Sequence, residues 1–146
     1  MPQDDLNVGL LMFIAYREME RRVLDAVVAA GFDDITLAQA RVFQRIGPDG
    51  TRLGELAEQA QVTKQTAGFL VDQLERAGYV ERVADPADAR AKLVRIAEKG
   101  RAAGSIAGRT VAEVEAEWHA HLGRQRMDQL REALSRLREI TDRYAR

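Results

Sequence analysis

Four side chains in one short run, Glu115, Glu117, His119 and His121, have the types and spacing of metal ligands. Glu115 with His119, or Glu117 with His121, would stand one helical turn apart and could share a cation. Only one such pair can face a given site, and two ligands are too few to define a metal centre. Solvated histidines are the simpler reading, and no metal is expected. A second set, Lys64, Gln65, Thr66 and Phe69, crowds the start of a short helical pattern. There a cation, an amide and an exposed aromatic suit phosphates, base edges and a thymine methyl. In the third set Asp88 stands two residues before Arg90, close enough for a charge-assisted pair to orient the guanidinium. Catalytic sets are missing from the sequence: it has no Gly-rich phosphate loop, nucleophile elbow or HExxH. No catalytic residue and no cofactor are expected, and the chain is not read as an enzyme.

The second and third sets fall within Leu53 to Arg101, around which the chain is organised. Leu53, Leu56, Ala57 and Ala60 recur at helical spacing, and Gln61-Val62 makes a tight connection. Thr63 has the hydroxyl of an N-cap for a second helix reaching about Ala77. Its apolar stripe is Ala67, Leu70, Val71, Leu74 and Ala77, which leaves Lys64, Gln65, Gly68, Phe69 and Asp72 on the opposite face. Gly78 ends that helix. Tyr79–Val83 and Lys92–Ile96 are short, β-branched and partly alternating, so they read as an antiparallel pair. Residues 84–91 between them read as a polar turn opened by Asp85-Pro86, with Arg90 at its tip. A hairpin straight after helix-turn-helix is the order of a winged helix-turn-helix, which places one helix in the DNA major groove. Arg90, held by Asp88, would then reach a minor groove, where negative potential is focused. Thr63, Arg52, Arg76 and Lys92 are candidate phosphate contacts, which position a protein without specifying sequence. From Arg82 to Arg101 six basic residues face three acidic ones, although the net charge of the chain is −1.

The wing Asp85-Pro86-Ala87-Asp88-Ala89-Arg90 matches the D-P-x-D-x-R pattern of the MarR family of bacterial transcriptional regulators. Leu56-Ala57 and Leu74-Glu75-Arg76-Ala77-Gly78-Tyr79-Val80 match that family's E-L-A and L-E-x-x-G-hydrophobic-V patterns. The segment therefore resembles the family's DNA-binding lobe, over roughly the middle half of the chain. One departure is Ala97, where the family usually carries a capping Thr. The lost cap is worth about 1 kcal/mol. The resemblance implies a mainly α fold with a small β-hairpin wing, flanked by N- and C-terminal dimerisation helices. It implies a homodimer on a pseudo-palindromic operator in double-stranded DNA, acting as a repressor. It also implies a small aromatic or anionic effector held between dimer base and reading head. Phe13, Tyr16, Phe32, Phe43 and Trp118 are the candidates for that pocket, each of which also serves as ordinary core.

The flanks support that division. Leu6 to about Ala30 reads as one helix whose apolar residues cover more than one stripe, as a helix meeting two surfaces would. Thr36 caps a segment from Leu37 to Ile46, with Leu37, Ala40, Phe43 and Ile46 inward, and a turn at Gly47-Pro48-Asp49-Gly50 closes it. After Ala97 come two helices broken at Gly123. The second carries Met127, Leu130, Leu134, Leu137, Ile140 and Tyr144 at seam-like spacings. Gly100, Gly104 and Gly108 lie four residues apart and each costs about 1 kcal/mol against Ala in a helix. They are read as a softened joint between head and base. Residues 1–34 and 101–146 would form the base, and residues 35–100 the head. The chain has no cysteine, hence no disulfide or thiol switch. Its acidic start and the lack of a bilayer-length apolar run lead to the expectation of a cytoplasmic protein without a membrane partner. The rival reading is a dimeric winged-helix module that docks a protein instead of DNA; its support is the near-neutral head and Asp72 on the groove face.

Overall fold

The computed structural model describes residues 5–145. Asn7 opens α1 (Val8–Ala29) by accepting the Leu10 N–H at 2.8 Å. Thr36 and Gln39 form a reciprocal capping box at the start of α2 (Leu37–Phe43). The box pulls Gln39 inward, where its amide donates to Gln73 at 3.0 Å. Val42 is the fully buried residue of this helix, and Leu37 is exposed, contrary to the expected inward set. The reason is that Leu37 borders a cavity and not the closed core. A two-residue strand, β1 (Thr51–Arg52), precedes α3 (Leu53–Ala60) and α4 (Lys64–Arg76). Gln61 takes the left-handed conformation, φ 57°, that turns the chain between the two helices.

The hairpin is longer than its sequence pattern indicates. β2 (Val80–Asp85) and β3 (Asp88–Ile96) leave only Pro86 and Ala87 as the turn, so most of the expected loop is strand. The pairing is irregular near the tip: Ala84 faces Lys92, whereas Asp85 faces Asp88. Ala89, Arg90 and Ala91 therefore form a bulge, which extends and twists the wing. β1 pairs with the other edge of β3 to make a three-stranded antiparallel sheet, order β1-β3-β2.

Ala97 begins α5 (Glu98–Leu122) without a side-chain cap, as its residue type dictates. Gly123, φ 85°, separates α5 from α6 (Arg124–Thr141). Gly100 is no joint. A Cβ there would lie 2.2 Å from the Tyr79 carbonyl oxygen, so the glycine lets the first turn of α5 press against the head. Gly104 sits 4.0 Å from Phe43, and Gly108 has open space. The main core joins Val27, Val42, Leu56, Val71, Leu74 and Val94 across α1, α2, α3, α4 and the sheet, with Tyr79 just before β2. Met127 is buried, but Leu130, Leu134, Leu137 and Ile140 lie exposed along α6. Tyr144 does not continue that seam. It lies beyond the helix, and its hydroxyl donates to Glu58 of α3. No helix of the described residues is long and apolar enough to cross a membrane.

Candidate nucleic-acid interface

The start of α4 is fixed from its own sequence. The Thr66 N–H donates to the Thr63 hydroxyl at 3.1 Å, satisfying one amide that the first turn leaves free. Ala67, Leu70, Val71 and Leu74 bury one face, which turns Lys64, Gln65 and Thr66 outward and leaves Phe69 59% exposed. Gly68 is not on the open face: a Cβ there would meet Leu53 of α3 at 3.7 Å. Asp72 follows on the outer face, but it is not a free anion. Arg82 of β2 binds it at 2.7 Å and binds Glu75 at 2.9 Å, tying helix to wing. Arg76 is exposed one turn farther on.

At the wing the structure separates Arg52, expected as a phosphate contact, from Arg90, expected in a minor groove. Arg52 reaches from β1 to Asp85, with N–O distances of 2.7 and 2.8 Å. Asp85 is buried, accepts the Ala87 N–H as well, and is held below the ordinary carboxylate range by that bond and by Arg52. Arg52 is thus committed to Asp85, beside the turn of the wing. Sequence reasoning missed this pair because its members lie on different strands. Arg90 is on β3, not at the tip of a loop, and its side chain is 94% exposed. Asp88 accepts the Arg90 N–H at 3.0 Å and approaches its Nε at 3.5 Å. The local positive excess is smaller than the residue count indicates: Arg95 pairs with Glu81, Lys99 with Asp34, and Arg82 with α4. Lys92 has no carboxylate partner among the described residues. Lys92 and Lys64 line one shallow depression, together with Arg52, Arg82, Glu55 and Glu58. The start of α4 and the wing strand therefore present a continuous surface.

A separate cavity of about 210 Å³ lies among α1, α2 and α5. Of the five aromatic candidates, Tyr16 and Phe43 line it. Phe13 is exposed on α1, and Phe32 packs on Tyr79 with ring centroids 6.2 Å apart. Trp118 lies farther along α5 and outside the lining. Helical spacing cannot tell these cases apart. Glu20 and Arg41 close the rim through two bonds of 2.9 Å, and the Gln44 amide donates to the Tyr16 hydroxyl at 3.0 Å. Arg41, helped by the Tyr16 hydroxyl, holds the Glu20 carboxyl below its usual range. The two Glu–His pairs are taken apart by competing cations. Glu115 binds Arg131 at 3.0 Å and Glu117 binds Arg22, while both histidines stay exposed. No cluster of three metal-ligating groups occurs among the described residues.

Comparison with known proteins places this geometry. The sequence profile of the MarR family matches residues 33–91. The exopolysaccharide II synthesis transcriptional activator ExpG of Rhizobium meliloti is 34% identical over 71 residues, 49% of this chain. That match spans only 37% of ExpG, little more than a third of its length. The repressor CouR of Rhodococcus jostii, in its structure with a 23-mer DNA duplex, has a TM-score of 0.67 at 25% identity. The match covers 90% of this chain and 92% of CouR. A MarR family protein of Mycobacterium tuberculosis in complex with salicylic acid has a TM-score of 0.65 at 26% identity, covering 92% of this chain and 98% of that one. The profile match falls on the winged helix-turn-helix segment and the same fold extends over nine-tenths of the chain, so the chain carries the fold of MarR-family regulators and resembles them in the sequence of its reading head.

Proposed function

We propose that this protein is a homodimeric regulator of transcription that binds an operator in double-stranded DNA and represses, acting by binding and not by catalysis, in the cytoplasm. The observation that carries the reading is the joined surface of α4 and the wing. Lys64, Gln65, Thr66 and Phe69 are exposed on the helix, and Arg90 and Lys92 are exposed on the strand. Thr63 orders the helix start, and exposed Arg76 adds a cation beyond it. The acidic residue that favoured a protein-docking module, Asp72, is paired with Arg82, which it shares with Glu75. CouR, which shares the fold, is bound to DNA in its structure.

The base would comprise residues 1–34 and 101–146, and the head residues 35–100. Leu10, Leu11, Phe13 and Ile14 on α1 and Leu130, Leu134, Leu137 and Ile140 on α6 are exposed in the single chain, and clustered large apolar side chains in water mark an interaction surface. A second copy covering it would give a symmetric dimer and two heads for two half-sites. The cavity lies where α1 and α5 of the base meet α2 of the head, so a small molecule there would bias the head's position. The test is Lys64→Ala in fluorescence anisotropy at several salt concentrations. The expected result is weaker binding to every duplex alike and a salt slope flattened by about one unit. A loss confined to one base position would reassign Lys64 from phosphate to base.

A further inference from the structure

The cavity among α1, α2 and α5 carries its own statement about what it admits, resting on its reading as the effector site. Its wall is almost wholly apolar: Val23, Leu24, Phe43, Ala103, Ala107 and Val111 contribute side chains from three helices. At about 210 Å³ it has room for one substituted ring, since an apolar cavity of roughly 150 Å³ accepts benzene. Among the described residues only two charged groups line it, Glu20 and Arg41. They are joined by a two-pronged bond, Nε to one carboxylate oxygen and Nη2 to the other, each 2.9 Å. That bond occupies the Nε–Nη2 edge of Arg41 and balances its charge. Glu20 is the inner member: its side chain is 12% exposed, against 50% for Arg41.

We propose that this cavity selects an uncharged aromatic ligand and rejects aromatic carboxylates, because Glu20 already balances the one cation that lines it among the described residues. A carboxylate ligand would bring a second negative charge to a cation that Glu20 already balances, whether it shared Arg41 with Glu20 or displaced it, and would lose its hydration against an apolar wall. An organic cation meets the converse obstacle in Arg41. A neutral ring bearing an amide or hydroxyl disturbs neither charge, and the Tyr16 and Gln44 polar groups at the rim can bond to it.

The experiment compares salicylamide with salicylate, which share ring and hydroxyl and differ in charge. Binding to the whole chain at neutral pH is followed by calorimetry and by the shift of the melting midpoint. Salicylamide is expected to bind the wild type at least about a hundredfold more tightly than salicylate. Glu20→Gln keeps the side-chain shape, frees Arg41 and is expected to bring salicylate within about tenfold of salicylamide. The melt of the unliganded variant reports its folding. Salicylate binding the wild type as tightly as salicylamide overturns the charge selection and leaves the effector cavity standing. Neither compound binding either protein overturns the effector cavity as well.

Discussion

Arg90 is held by nothing except Asp88 and its own strand, so its contribution to binding is separable from folding. Arg90→Ala is expected to weaken operator binding by about 1–3 kcal/mol with the melting midpoint unchanged, read by anisotropy beside a thermal melt. Unchanged affinity would remove the wing from the interface. Arg52 is the instructive contrast, because removing it strands the buried Asp85 and must act through the wing's structure. Glycines divide in the same way. Gly100→Ala forces a methyl to 2.2 Å from the Tyr79 carbonyl and should cost about 1–3 kcal/mol in urea denaturation. Gly108→Ala meets nothing and should gain up to about 1 kcal/mol from helix propensity. Equal effects at the two sites would contradict the close packing of α5 on the head. Local pairings such as Thr63 with Thr66, Thr36 with Gln39, and Asp88 with Arg90 are legible in the sequence because their spacing is set by one turn of backbone. Arg52 with Asp85 and Glu20 with Arg41 are not, since only the fold brings residues so distant in sequence together.

At the scale of elements, apolar periodicity and turn residues placed α1, α3, α4 and the break at Gly123 to within a few residues. Three features escaped it. β1 is two residues long and carries no alternation to detect. The wing strands run through Ala84, Asp85 and residues 88–91, whose residue types favour a turn, because pairing with the neighbouring strand overrides local preference. The third is the end of the chain: Asp142 lies 3.2 Å from Arg45 at the end of α2, and Tyr144 reaches Glu58, so the segment after α6 docks on the head. Asp142 accepts from Arg138, from the Tyr144 N–H and from Arg45, which lower its pKa from 3.8 to about 2. A carboxyl with a depressed folded-state pKa stabilises fully above its unfolded value and loses that effect as pH falls through the folded one. The melting difference between wild type and Asp142→Asn should therefore be constant above about pH 5 and vanish between about pH 4 and pH 2. A difference that persists at the acid end would show that Asp142 acts by shape and not by charge.

The molecule as a whole has two surfaces whose chemistry asks for partners, an apolar one along α1 and α6 and a polar one along α4 and the wing. The winged-helix head was recognisable from the order of its elements and from the Asp-Pro-x-Asp-x-Arg wing. The position of the cavity and the pairing of Asp72 with Arg82 needed the fold. A single experiment joins the two surfaces: selection of bound duplexes from a random pool, then anisotropy and sedimentation with the selected sequence at two salt concentrations. The expected result is a selected site with two-fold related halves, tight salt-sensitive binding and two protomers per duplex. Failure to enrich any sequence, with affinity no higher than for random duplex, would contradict the regulator and favour a winged helix that docks a protein.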